Sequence, residues 1–246
     1  MDAAEIRLVK DGIQEAVCEL RFETQNSPEI TIGRLTDAPV WRGYSQTRLP
    51  TADVPEQLRK AEESFRFAPS YQLVSPNEAS EFVRVGPNVV SCHRLAPYPG
   101  WETFGPEIWR TIEALYATVR DARITRVGFR YVNALSEAAH FIRGASDLNV
   151  SVTAGDNDVG AEFVLVYSRE LESRHTVQVS LATPKFVQVA DGSGFDVLID
   201  IDVSTPAGFS ITGLEEARGW IELAHTYLKQ EFFRLIPTTV VDKLRG

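Results

Sequence analysis

The residues whose types and spacing suit chemistry lie on strand-like runs. Asp200 and Asp202 stand two positions apart in "VLIDIDV", and Arg126 and Arg130 flank glycine and phenylalanine in "ITRVGFRYVN". Arg21 sits between Glu19 and Glu23 in "EAVCELRFE". Successive strand side chains point to opposite faces. Val197, Ile199, Ile201 and Val203 therefore share a core face, which leaves Asp200 and Asp202 together on the other. The same rule sets Val127, Phe129 and Tyr131 against Arg126 and Arg130, and Ala16, Cys18, Leu20 and Phe22 against Glu19, Arg21 and Glu23.

Two chemistries fit such a face. One is a cross-strand ladder of ion pairs, worth roughly 0.2–1 kcal/mol each, that keeps the sheet wet on one side and in register. The other is a groove in which Arg21, Arg126 and Arg130 receive a small anion while Asp200 and Asp202 hold a hard cation. A divalent ion needs several converging oxygens, and two aspartates on one strand supply only part of that set. The ladder is the preferred expectation. Arg21, Arg126, Arg130, Asp200 and Asp202 are the candidate ligand-binding residues, with no catalytic residue and no metal ligand expected.

Other motifs are sparse. The chain lacks a Gly-x-Gly-x-x-Gly turn, a Walker loop and a Gly-x-Ser-x-Gly elbow, so no cofactor is expected. Cys18 and Cys92 lie in apolar strand-like runs and read as small buried hydrophobes. "GDNDVG" (155–160) and the glycine-rich "ADGSGFD" (190–196) read as turns. With 34 acidic and 25 basic residues the net charge is −9, which argues against nucleic acid as a principal ligand. No apolar run reaches the ~18 residues of a membrane span, and the first residues lack the basic-then-apolar pattern of a signal peptide. A cytoplasmic protein without membrane attachment is expected.

The elements that must position these residues follow from periodicity. Strands are expected at 15–23, over "YQLVS", and on both sides of Gly86-Pro87-Asn88, with residues 24–53 mostly loop or edge structure. "VPEQLRKAEESF" reads as a helix burying Leu58, Ala61 and Phe65. A longer helix over "WETFGPEIWRTIEALYATVRDA" carries Phe104, Ile108, Ile112, Leu115 and Val119 as its core stripe, widened by Trp109 and Tyr116. After the strand "ITRVGFRYVNAL", a short helix "SEAAHFIRG" begins at Ser136 as N-cap. Strands follow near 150–154 and over "AEFVLVYSRE", "HTVQVSLAT" and "FDVLIDIDV". Thr212 and Glu215 suit a capping box opening a last long helix lined by Leu214, Ala217, Ile221, Ala224, Leu228, Phe232 and Leu235. Pro237 limits it, and "TTVVDKL" packs back as a tail.

Both halves thus read strand, short helix, strands, long helix. The expected fold class is α+β, with antiparallel sheets each packed on a long helix and two topologically similar halves in tandem, 1–123 and 124–246, within one compact body.

Several stretches in this order carry a family resemblance. "EAVCELRF", "VRVGPNVVSCHRLAPYPGWETFGPEI", "ITRVGFRYVN" and "VLIDIDV" resemble the "sporadically distributed protein" family of bacteria and archaea. Tyr98-Pro99-Gly100-Trp101 and Arg130-Tyr131-x-Asn133 are the most specific parts, and residues 24–53 match least. The resemblance implies no particular activity. The family's patchy occurrence is like that of horizontally moved genes, including defence and toxin-neutralising loci. The expected function is a non-enzymatic binding or interaction protein with a protein partner. The alternatives are a binder or enzyme for a small anionic or phosphorylated ligand, using a cavity between sheet and long helix, and a subunit of a homo-oligomer built through sheet edges.

Overall fold

The computed structural model describes residues 6–160, 162–187 and 194–245. The fold is α+β. The first strand, β1 (Ile13–Glu23), is followed by α1 (Pro28–Thr36) and a short edge strand β2 (Ser45–Arg48). Two short helices, α2 (Glu56–Ala61) and α3 (Glu63–Arg66), precede a meander of β3 (Tyr71–Val74), β4 (Glu81–Val85) and β5 (Val89–Leu95). The long helix α4 (Trp101–Thr118) leads to β6 (Arg123–Leu135), and α5 (Glu137–His140) is a single turn. A small hairpin, β7 (Thr153–Ala154) with β8 (Asn157–Asp158), precedes β9 (Val164–Leu171), β10 (His175–Ala182) and β11 (Val197–Ser204). The chain closes with α6 (Leu214–Leu235) and α7 (Thr238–Leu244).

Apart from that hairpin, the described strands form one sheet of nine, in the order β2-β3-β4-β5-β1-β6-β11-β10-β9. The ladders β2·β3, β3·β4, β4·β5, β9·β10 and β10·β11 are antiparallel. Asp196 N donates to Leu135 O at 2.8 Å and Thr205 N to Val127 O at 2.9 Å, so β11 runs antiparallel to β6 as well. A single sheet therefore stands where the sequence suggests two.

The chain divides into two compact units. One contains the described residues up to Glu15, Arg130–Ser204, and those from Glu222 onward; the other contains Ala16–Phe129 and Thr205–Ile221. In the second unit α4 packs on β5, and its stripe of Phe104, Ile108, Ile112, Leu115 and Val119 is buried as its spacing predicts. Trp101 and Phe104 reach Phe129 of β6, with ring centroids 5.7 and 6.1 Å apart, and Trp109 meets Trp101 edge-on. Gly100 precedes α4 at φ 90, a backbone region where a side chain is strained. Gly86 in the β4–β5 turn admits no Cβ, which would stand 2.8 Å from Ala68 O.

In the other unit Val177, Val179 and Leu181 of β10 and Val197, Ile199, Ile201 and Val203 of β11 are buried, alternating with more exposed polar residues. Here α6 contributes Ala224 and Leu228 to the core, with Tyr227 edge-on to His175 of β10 and His225 edge-on to Tyr131 of β6. Val240, Val241 and Leu244 of α7 pack back as buried residues, and Val9 N donates to Leu244 O at 2.9 Å. No helix among the described residues is long and apolar enough to cross a membrane.

Several local expectations are corrected. Residues 24–53 are not mostly loop, because α1 starts at a Ser27 N-cap with Pro28 in its first turn, a start signal that outweighs β-branched Ile30, Thr31 and Ile32. The helix expected over 54–65 breaks at Glu62, in extended conformation, and Leu58, Ala61 and Phe65 are exposed rather than core. Ser136 does cap a helix, accepting from Ala139 N, but Phe141 in the left-handed region ends it after four residues. The backbone N–H of Thr212 is met by Glu216 at 3.1 Å, not by Glu215. The turn at 155–160 is the β7–β8 hairpin. Of the "ADGSGFD" turn, residues 190–193 lie outside the described residues, as does Ala161 at the start of the expected β9 run.

Ile112 is fully buried at the middle of the α4 stripe. Replacing it with alanine removes apolar contact and leaves a cavity, so Ile112→Ala is expected to lower unfolding free energy by about 2–5 kcal/mol in chemical denaturation. Unchanged stability would take Ile112 out of the core.

Candidate functional site

The five candidate residues fall into two groups, one in each unit. Around Glu19, Arg21 Nε donates to Oε1 at 2.8 Å and Arg126 Nη1 donates to the same oxygen at 3.1 Å. Arg21 also faces Glu63 at 3.4 Å and stacks its guanidinium 4.6 Å from the Phe67 ring centroid. These two arginines are thus bound to carboxylates and to an aromatic face.

In the other group, Arg130 forms a two-pronged pair with Asp200, Nε to Oδ1 at 2.7 Å and Nη2 to Oδ2 at 2.6 Å. The planar fork of arginine matches a carboxylate in this way, which makes the pair directional as well as attractive. The bond to Asp200 holds the Arg130 guanidinium above its ordinary range, with further support from the fields of Asp202 and Glu15. Three carboxylates thus act on one guanidinium. Across the ladder, Asp200 lies opposite Ser180 and Asp202 opposite Gln178, so the aspartates share a face with neutral polar side chains. Among the described residues no group of three or more His, Cys, Asp or Glu side chains is arranged to hold a metal ion.

A second charged cluster, unforeseen in the sequence, is built around a deeply buried pair in the unit that holds α4. Arg94 of β5 has a side chain only 3% exposed, and Glu107 of α4 one only 6% exposed. Arg94 Nε donates to Glu107 Oε2 at 2.7 Å and Nη2 donates to Oε1 of the same carboxylate. Arg94 Nη1 reaches Glu78 at 2.5 Å, and Nη2 reaches Glu81 at 3.4 Å. Arg110 donates to Glu81 at 3.1 Å, and the Tyr44 hydroxyl donates to the same Oε1 at 2.5 Å. Burial opposes the charge on Arg94, but the bonds from Glu107 and Glu78 outweigh it and hold the guanidinium above its ordinary range. Burial, together with the bond to Glu81, pushes Tyr44 up to about 12.

The sequence contained one signal for this cluster. Glu107 stands beside Phe104, Ile108 and Thr111 on the buried face of α4, where an ionised side chain requires a partner. Cys92, two residues before Arg94, is buried, and its thiol is pushed up by burial and then by the nearby Glu107. Burial makes that thiol part of the apolar packing.

Compared with known proteins, the chain matches no family model and no curated protein.

The two kinds of ion pair differ in what their loss costs. The Arg130 side chain is 46% exposed, so Asp200→Asn is expected to change stability by about 0–1 kcal/mol. Glu107→Ala would leave the buried Arg94 with only Glu78 and the longer contact to Glu81, and is expected to cost more, up to about 3–5 kcal/mol. Urea denaturation of the two variants side by side measures the contrast, and equal losses would contradict it.

His225 gives a pH dependence. Burial, and then the charge of Lys229, lower its pKa to about 4. The unfolded chain takes up a proton near pH 6.5 that the folded chain refuses until near pH 4. Stability contributed by neutral His225 is therefore present above pH 6.5 and lost progressively as pH falls toward 4. A His225→Gln variant should show a shallower fall of melting temperature across that window.

Proposed function

We propose that the chain is a non-enzymatic interaction protein that acts by binding a protein partner, and that the outer sheet face and edge strand of the unit containing Arg130 form its contact surface. The observation that carries this reading is β9. It lies at the end of the strand order with β10 as its one neighbour among the described strands, and Val164 and Val166 on its outward face are 52% and 55% exposed. An open edge with apolar side chains is the kind of surface that proteins cover or pair. The neighbouring face supports the reading, because Arg130 is already engaged by Asp200 and is poorly placed to receive a free anion.

The reading includes a tandem organisation, halves 1–123 and 124–246. It is supported by chain order: β1, α1, β3–β5 and α4 are followed by β6, α5, β9–β11 and α6. It is also supported by sheet order, in which β3-β4-β5-β1 meets β6-β11-β10-β9, each half with its first strand innermost. In the first half β2 pairs with the outer edge of β3, and β9 has no such cover among the described residues. A partner strand would take that place.

The test is affinity capture of the tagged chain from its native host, with wild type beside Val166→Lys and Asp202→Lys. A stoichiometric protein that co-elutes with wild type and is lost in both variants, at unchanged melting temperature, is the expected result. An anion-induced rise in melting temperature that Arg130→Gln abolishes, with no captured protein, would replace this reading with small-ligand binding at the charged face.

A further inference from the structure

Among the described residues the nine-stranded sheet has two edges, and they differ in kind. At one end β2 is four residues long, polar and exposed throughout, and its Arg48 is held by Asp53 at 2.7 Å. Short edges of this kind resist pairing. At the other end β9 runs for eight residues, with two outward valines and neither proline nor lysine to blunt it.

The backbone groups that β9 turns outward follow from its register. Thr183 N donates to Phe163 O at 3.4 Å, and the β9·β10 ladder continues from that pair without interruption. Bonded and non-bonded pairs alternate in an antiparallel ladder. Residues 165, 167, 169 and 171 therefore direct their N–H and C=O to β10, while Val164, Val166, Ser168 and Glu170 direct theirs to the open side. The side chains of those four are exposed. Leu165, Tyr167, Arg169 and Leu171 are half-buried on the face of α6, where Glu231 binds Arg169.

The residue order of β9 is self-complementary about Ser168. Laid antiparallel on a copy of itself with Ser168 opposite Ser168, the strand sets Leu165 against Leu171 and Tyr167 against Arg169 on the α6 face. On the other face Val166 meets the stem of Glu170, and outward backbone groups meet outward backbone groups. No like charges stand opposite, and a guanidinium faces a tyrosine ring. Sliding the copies by two residues sets Arg169 against Arg169 in one direction and against Leu165 in the other. This internal match selects a second copy over an unrelated strand.

We infer that β9 is a two-fold dimer interface, its open edge occupied by β9 of a second copy of this chain, antiparallel and centred on Ser168. The inference rests on the protein-partner reading and names that partner.

Sedimentation of the purified chain over a concentration series tests it. Wild type should be a dimer that dissociates on dilution. Val166→Pro removes an outward N–H and no bond to β10, so it should be a folded monomer at the same concentrations. Opposed bonded residues have Cα atoms about 5.5 Å apart, within the span of a disulfide. Ser168→Cys should therefore cross-link two copies on mild oxidation, and Val164→Cys, displaced from the axis, should not. Cys18 and Cys92 are buried and do not compete. Should Val166→Pro fail to fold, the cysteine variants decide. A wild-type monomer at about 100 μM, a dimer retained in Val166→Pro, or cross-linking that does not favour residue 168 would overturn the inference. The protein-partner reading falls separately. It survives a monomeric wild type if affinity capture yields a different protein that Val166→Lys loses, and it falls as well if capture yields none.

Discussion

The two-residue period of the long strands is the constraint on which the rest depends. β1 and β6 each carry a row of large apolar side chains on one face and a row of charges on the other. A shift of register by one residue would turn Leu20, Phe22, Phe129 and Tyr131 to water and push Glu19, Arg126 and Arg130 into the core. That penalty fixes which face receives α4 and α6, and it fixes where the ion pairs can form. Both strands contribute residues to both compact units, so one alternation is read out twice along each.

Within that frame the charges play two different parts. The pairs of Arg21, Arg126 and Arg130 stay in contact with water, where attraction is weak and competing solvent is abundant. The Arg94–Glu107 pair is shielded from water. Its value lies in the misfolded alternatives it penalises, since any arrangement of α4 over β5 that separates Glu107 from Arg94 takes the two-pronged partner from a buried guanidinium. Tyr44 and Arg110 occupy the remaining oxygen positions of Glu81, so the carboxylates are shared among several donors instead of matched one to one.

Much of this fold was legible because it is local. Alternation over "VLIDIDV" identified buried and wet residues correctly, "HTVQVSLAT" is the strand it reads as, and the helical stripe from Phe104 to Val119 identified the buried face of α4. α1 was misjudged because a three-residue cap signal, Ser27 to Glu29, competes with a β-branched run that follows it. Leu58 and Phe65 were misjudged because burial is decided by what the rest of the chain brings over them, which periodicity does not contain. For the charged face, alternation told which side Arg126 and Arg130 occupy but not their partners. Register assigns Asp200 to Arg130 and Glu19 to both Arg21 and Arg126. The Arg94 cluster stayed hidden for the same reason, since a charged residue in a strand reads as solvent-facing until a distant helix supplies its counter-ion.

The bond between Val9 N and Leu244 O brings the first described residues and the last helix to one place. Two segments held this close can be joined there by a short linker and the chain reopened elsewhere. Circular permutants cut in the exposed β7–β8 hairpin would keep every ladder of the nine-stranded sheet while moving the chain ends away from α7.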